Sequence, residues 1–267
     1  MIGFIGGGNM AEAIIKGIKD MASHHIKDIF VSEPSKQRRL YIESTYAVST
    51  TDNNKELAAK ADIIVIAVKP QIISALAEEL ASVDISNKTL VSIAAGVSIS
   101  YLRQALKTAN VIRVMPNTPA LVLKGMSVIA AAEGVSPQTL EVVTNIFSSI
   151  GKTLILPEAQ MDAVTAVSGS GPAFVAFFIQ SMIAGGISLG LDAQTASVLA
   201  LQTLAGTSEL LCQRSPEDVI KMVSSPGGTT VAGLKVMQES DAAGLIANVL
   251  RAAATRSAEL NIKITGQ

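Results

Sequence analysis

The sequence predicts an α/β chain: a doubly wound sheet over residues 1–157, followed by an all-α domain over residues 158–267. Three observations carry this. The first half alternates short β-branched runs with amphipathic stretches, the pattern of parallel strands joined by right-handed crossovers. A glycine-rich turn, Gly6-Gly7-Gly8, directly follows the first apolar run. After residues 151–156 the strand signal ends, and the remainder is rich in Ala, Leu, Gly and Ser at helical spacing.

The expected strands are Ile2–Ile5, Asp28–Ser32, Ile63–Val68, Thr89–Ile93, Val111–Met115 and Ser127–Ala131, with Gly151–Leu156 as the last. The unbroken apolar run from Ile63 to Val68 fits a strand covered on both faces. Helices are expected at Ala11–Lys19, Ser35–Ser44, Asn54–Lys60, Gln71–Leu80 and Ser98–Leu106 between these strands. Beyond them the pattern predicts helices at Ala163–Val167, Pro172–Gly190, Ala193–Cys212, Pro216–Val223, Thr229–Glu239 and Ala242–Asn261. Ser215-Pro216-Glu217-Asp218 reads as a cap, a first-turn proline and acids at a helix start. These long, weakly charged helices leave more apolar surface than a monomer would expose, which predicts a homodimer or a larger assembly of dimers.

Bulk properties narrow the partners. A chain of 267 residues can bury about 70–75% of its unfolded surface without staples. The net charge of −1, the absence of Trp and 3% aromatic content argue against nucleic acid as a partner. The single cysteine, Cys212, excludes an intrachain disulfide and fits a reducing, cytoplasmic setting. Its run, Leu210-Leu211-Cys212, reads as buried. The histidines, His24 and His25, are adjacent in a polar segment that reads as a solvated loop, so no metal site is expected. The N-terminal run lacks the basic leader of a signal peptide. The segment from Pro172 to Leu191 has the length of a membrane span, but Gln180, Ser181, Ser188 and its glycines favour a core or interface helix, so no membrane is expected.

The chemistry starts at Gly6-Gly7-Gly8-Asn9-Met10-Ala11, a Gly-x-Gly-x-x-Ala pattern between a strand and an amphipathic helix. This is a Rossmann-like dinucleotide loop. Gly6 allows the tight turn, Gly8 lets the pyrophosphate approach the backbone, and Ala11 lets the helix pack on the strand. The amides at the helix start, near Asn9 and Met10, then face the phosphates. The second strand ends in Ser32-Glu33-Pro34-Ser35-Lys36-Gln37-Arg38-Arg39. Glu33 lies about twenty residues past the glycines, where a carboxylate holds ribose hydroxyls and repels a 2′-phosphate. Ser32, Ser35, Lys36 and the arginines could instead hold that phosphate, so the choice between NADPH and NADH stays open here.

Further segments stand out. Ala67-Val68-Lys69-Pro70 closes a buried strand at the edge where ligands bind in such sheets. Lys69 either reaches the cofactor or merely reaches solvent. Arg113-Val114-Met115-Pro116-Asn117-Thr118-Pro119 ends a strand in a turn held by two prolines, which either aims Asn117 or Thr118 at that same edge or only connects two elements. Ser224-Ser225-Pro226-Gly227-Gly228-Thr229-Thr230 puts two glycines before a helix, either an anion site or an ordinary cap. Ser168-Gly169-Ser170-Gly171-Pro172-Ala173 leads into a long apolar helix, where it shapes a pocket or permits tight packing.

Together these motifs, with Asn54, Ala94-Ala95-Gly96-Val97 and Asp162-Ala163-Val164-Thr165, resemble the pyrroline-5-carboxylate reductase family over essentially the whole chain. The resemblance implies reduction of the C=N bond of the imino acid Δ1-pyrroline-5-carboxylate to L-proline by NADPH, with NADH as the alternative. It implies that the amides of Gly227, Gly228, Thr229 and Thr230 hold the substrate carboxylate and that the Thr230 hydroxyl bonds the ring nitrogen as the catalytic residue. Glu158 is implied near the substrate. Asn54 and Lys69 are implied at the cofactor ribose region and Ala95 at the nicotinamide side, with Val68, Pro70 and Asn117 as further cofactor-binding residues. A dimer formed through the helical domain is implied as well. Glu33 departs from the small or basic residues that favour NADPH in relatives. Two other classes share parts of this pattern. A β-hydroxyacid dehydrogenase needs a lysine on the long interdomain helix, and the stretch from Gly171 to Gly190 has none. A non-catalytic dinucleotide sensor would need no second polar constellation.

Overall fold

A computed structural model describes residues 1–21 and 28–265, so His24 and His25 lie outside the described residues. The chain forms two compact units: Met1–Ser170 with Ala252–Gln267, and Gly171–Arg251. The sequence reading divides it at 157/158 instead.

The first unit is built on an eight-stranded sheet in the order β3-β2-β1-β4-β5-β6-β7-β8. Its strands are β1 Ile2–Ile5, β2 Ile29–Ser32, β3 Ser49–Thr51, β4 Ile63–Ile66, β5 Thr89–Ser92, β6 Val111–Met115, β7 Gly125–Ala131 and β8 Gly151–Ile155. Helices α1 Asn9–Asp20, α2 Lys36–Tyr46, α3 Asn54–Lys60, α4 Ile73–Leu80, α5 Ile99–Leu106 and α6 Pro137–Ser148 connect them. Period-two alternation assigns each strand residue to a layer. Ile64 and Ile66 meet α3, α4 and α5, whereas Val65 joins the layer of α1, α2 and α6. Arg113 breaks the apolar alternation of β6 between Ile112 and Val114 and is nonetheless buried.

Side-chain caps set most helix starts. Ser35, Asn53, Ser98 and Ser136 each accept a hydrogen bond from a first-turn amide of α2, α3, α5 and α6. Such caps stabilise a helix by about 1 kcal/mol each.

The structure corrects several expectations. β4 ends at Ile66 rather than Val68, and β5 at Ser92 rather than Ile93. For β4 the cause is β1, which turns away after Ile5 and removes the neighbour that would extend the ladder. β3 was not expected, because three residues are too few to show alternation. α6 was not expected either, although Ser136-Pro137 is a proper helix start. β7 runs antiparallel to β6, so the sheet is mixed. The connection over residues 116–124 is too short for the crossover that parallel pairing demands, and it holds only a 3₁₀ turn, Thr118–Val122. The expected helix Ala163–Val167 is replaced by three short pieces: a 3₁₀ turn Glu158–Gln160, α7 Met161–Val164 and a π turn Thr165–Gly169.

The second unit is helical: α8 Gly171–Ser188, α9 Ala193–Leu211, α10 Pro216–Val223, α11 Thr229–Glu239 and α12 Ala242–Thr265, which continues into the first unit. Asp192 caps α9 and Ser215 caps α10. Cys212 is exposed, not buried, as is the last turn of α9 before it.

Within the first unit the tail of α12 is fastened by one buried polar contact among the described residues. Ser257 is 3% exposed and donates to Asp162 Oδ1 at 2.7 Å. Asp162→Ala leaves that hydroxyl without its acceptor and is expected to cost about 1–2 kcal/mol. Hydrogen exchange of residues 252–260 should accelerate in the variant; unchanged protection would show that apolar packing alone holds the tail.

Candidate active site

Because β1, β2, β4, β5 and β6 are parallel, their C-terminal ends share one edge. Ser32, Val68, Ala95 and Asn117 all lie at or just past those ends. The glycine turn leaves β1 at this edge. Gly6 has φ +98°, and a Cβ there would sit 2.7 Å from the Ala67 carbonyl oxygen. Only glycine satisfies both demands. Gly8 is the cap residue of α1, with extended backbone and no side-chain cap. A Cβ on Gly8 meets nothing within 4 Å. Open space therefore lies over uncapped helix amides near Asn9 and Met10, the arrangement that receives a pyrophosphate.

The turn is held from behind by charged side chains. Glu33 Oε2 accepts from the Gly7 amide at 2.9 Å, and its Oε1 accepts from the Ser35 amide at 3.0 Å. Arg38 donates through Nε to the Gly7 carbonyl at 2.6 Å and also pairs with Glu12. Glu12 Oε1 accepts from the hydroxyls of Tyr46 and Tyr41, both at 2.8 Å. Burial works against the Glu12 carboxylate, but the hydrogen bonds from Tyr46, Tyr41 and Arg38 outweigh it and hold Glu12 below the usual carboxylate range. The Tyr46 hydroxyl is pushed above its ordinary value by burial and by Glu12. Arg39 donates to the carbonyls of Glu33 and Pro34 and pairs with Asp52 at 3.1 Å.

Ser32 Oγ donates to Asn54 Oδ1 at 2.7 Å, and Asn54 Nδ2 donates to Glu79 Oε2 at 2.8 Å. Val68 packs against Gly6, Lys69 is exposed, and Pro70 opens a 3₁₀ turn. Ala95 is half-buried between Ala94 and Gly96, whose φ is +69°.

Asn117 is fully engaged within the fold. Its Nδ2 donates to the carbonyl and to the hydroxyl of Ser168, each at 3.2 Å, while its Oδ1 accepts from the Met126 amide at 2.8 Å. The reason lies in the chain: four residues past Ser168 stands Pro172, which has no amide hydrogen to give the Ser168 carbonyl. Asn117 supplies the missing donor.

Glu158 is held too. Its Oε1 accepts from the Ile99 amide at 2.7 Å, at the first residue of α5, and pairs with Arg113 at 3.3 Å. The Arg113 side chain is 5% exposed, and its second terminal nitrogen is buried with no partner among the described residues. The sequence reading holds Arg113 at the head of its proline turn but gives it no role; its signal is a lone charge inside the apolar run of β6.

In the second unit, α11 starts on Gly228, again with no side-chain cap. Gly227 precedes it at φ +72°. The Gly228 amide is used by the Ser225 carbonyl at 2.9 Å, which leaves the amides that follow it pointing out of the helix start. Thr229 is exposed and Thr230 half-buried. Ser224 Oγ beside this turn is buried with no partner among the described residues. Glycine caps without a side-chain acceptor thus begin both α1 and α11.

Residues 1–96 match the family model of coenzyme F420-dependent NADP oxidoreductases, and residues 158–260 match the model described as pyrroline-5-carboxylate reductase dimerisation. The chain is 41% identical to the pyrroline-5-carboxylate reductase of Synechocystis over 264 residues, 98% of either chain. It belongs to the pyrroline-5-carboxylate reductase family. Among solved structures of that family, the Coxiella burnetii protein matches with a TM-score of 0.89 at 32% identity, covering 97% of both chains. The Plasmodium falciparum pyrroline carboxylate reductase, solved with NADP bound, matches with a TM-score of 0.83 at 32% identity and the same 97% coverage.

In this family member the Arg113–Glu158 pair joins β6 to the start of α5, the end of the loop that carries Ala95. Glu158→Gln should cost about 3 kcal/mol, because it leaves the Arg113 charge buried without a counter-charge. Adding Arg113→Met should recover most of that loss in urea denaturation. A double variant as unstable as the single one would mean that the pair acts through packing rather than charge.

Proposed function

We propose that this chain reduces the C=N bond of Δ1-pyrroline-5-carboxylate to L-proline, with a reduced nicotinamide dinucleotide as hydride donor. The observation that carries this reading is the whole-length kinship, at 41% identity, to a pyrroline-5-carboxylate reductase. The uncapped glycine starts of α1 and α11 support it, one suited to a pyrophosphate and one to a carboxylate.

When bound, the dinucleotide supplies hydride to the imine carbon; the chain supplies binding and orientation. Gly6, Gly7, Gly8, Asn9 and Met10 form the pyrophosphate cradle. Ser32, Glu33, Asn54, Val68, Lys69 and Pro70 surround the ribose end, and Ala95 lines the nicotinamide side. Asn117 acts on the cofactor through the loop it fastens. The amides of Gly227, Gly228, Thr229 and Thr230 hold the substrate carboxylate without any arginine. The Thr230 hydroxyl, half-buried in the first turn of α11, bonds the ring nitrogen and passes it a proton. Glu158 acts near the substrate by fixing Arg113 and the start of α5. The NADP bound in the Plasmodium relative supports a nicotinamide dinucleotide as donor, with NADPH and NADH as the two candidates.

The division of labour follows residues 1–157 for the dinucleotide and 158–267 for substrate and self-association. The helical run Glu158–Ser188 is long and apolar enough to cross a membrane. Phe177 at 69%, Leu189 at 88% and Val198 at 61% exposure need a cover. A second copy of the chain is that cover, supported by a matching family model described by dimerisation.

Thr230→Ala should lower kcat by roughly 10–1000-fold, the range for losing one positioned donor, while Thr230→Ser retains most of it. Steady-state turnover of Δ1-pyrroline-5-carboxylate is the assay, and full activity in the alanine variant removes Thr230 from the chemistry. Gly8→Val fills the open space over α1 and should raise the dinucleotide Kd at least about tenfold by calorimetry, since a branched side chain blocks backbone approach.

A further inference from the structure

The polar cluster behind the glycine turn bears on which dinucleotide is preferred, and the inference rests on the dinucleotide reading above. The end of β2 carries one acid and three cations: Glu33, Lys36, Arg38 and Arg39. Counted as charges, this stretch favours a 2′-phosphate. The contacts reverse that count. Arg38 is spent on the Gly7 carbonyl and on Glu12, whose other oxygen is fixed by two tyrosine hydroxyls. Arg39 is spent on the Glu33 and Pro34 carbonyls and on Asp52. Each arginine therefore already faces a carboxylate, and moving it toward a phosphate would strip a partner from Glu12 or Asp52. Lys36 is exposed and has no ion pair among the described residues, so it offers a mobile charge in high-dielectric surroundings, worth little.

Glu33, by contrast, is held rigidly. One oxygen takes the Gly7 amide and the other the Ser35 amide. A carboxylate has about four acceptor positions, so this one keeps free lone pairs in a fixed orientation at the strand end where the adenosine ribose binds. Among the described residues its charge is not cancelled by a facing cation, since both neighbouring arginines donate elsewhere.

We infer that Glu33 sets the cofactor preference of this chain, accepting from the ribose hydroxyls of NADH and opposing the 2′-phosphate of NADPH. The arginines beside it brace the loop and do not bind the phosphate. Glu33 is thus a specificity-determining residue within a family fold that also accommodates NADP.

The test is equilibrium binding rather than turnover. Calorimetric titration of NAD⁺ and NADP⁺ compares the unaltered chain with Glu33→Gln, which keeps the side-chain shape and an acceptor for the Gly7 amide but loses the charge. NADP⁺ should bind about tenfold more tightly to the variant and NAD⁺ a few-fold more weakly, the size expected for one fixed charge near a phosphate at intermediate dielectric. Raising salt should narrow the NADP⁺ difference, because the repulsion is screened. Lys36→Met should change NADP⁺ binding by less than about threefold. An unchanged ratio of the two dissociation constants in Glu33→Gln overturns the inference, and so does equal weakening of both ligands, which would make Glu33 a loop strut only. Binding of neither dinucleotide to the unaltered chain would overturn the dinucleotide reading itself.

Discussion

The close crossing of the β1 turn over the end of β4 is the constraint on which the first unit depends. Gly6 leaves β1 in a left-handed backbone conformation, its missing Cβ facing the Ala67 carbonyl. The Gly6 amide still pairs with Ser32 and the Ala67 amide with Ile5, both at 2.8 Å, so the turn is stitched to strands on either side. This sets where β4 stops and where α1 begins. The open space above the α1 amides follows from the same turn. Sheet order makes this the point where the chain winds to opposite sides, β2 and β3 on one flank and β4 onward on the other. A ligand crevice at such a point comes from topology before any side chain is considered.

Around that crevice, polar side chains mostly hold backbone. Glu33 and Arg38 grip the two ends of the Gly7 peptide unit. Asn117 serves a carbonyl that Pro172 cannot serve, and Glu158 serves the first amide of α5. Each pairing satisfies a backbone group that would be costly to leave unmet. The open face of the glycine turn is thus main-chain amides, with Arg38 and Arg39 bracing the backbone from behind. This agrees with a chemistry that needs an oriented imine more than a strong base.

Much of this was legible from the chain. The strand Val111–Met115 and the helices Asn54–Lys60, Pro216–Val223 and Thr229–Glu239 lie where periodicity and caps put them. Ser49–Thr51 escaped because three residues carry no period, and α6 because its exposed face is mixed. The antiparallel β7 was readable in principle from the short connection before it. The glycine turn and the Gly227–Gly228 helix start were readable because backbone demands for glycine are local. Asn117 and Glu158 stood out as motif residues, yet their pairing with Ser168 and Arg113 did not.

Local chemistry therefore determined the element types, the glycine turns and the family, each a property of a few neighbouring residues or of motifs in order. What each charge is for was decided by the tertiary structure. Lys36, Arg38 and Arg39 look alike in the chain, but Arg38 meets Glu12 and Gly7 across 26 and 31 positions, and Arg39 meets Asp52 across 13. A charge acts through the nearest group that desolvates or neutralises it, and that distance is fixed only once the strands are paired.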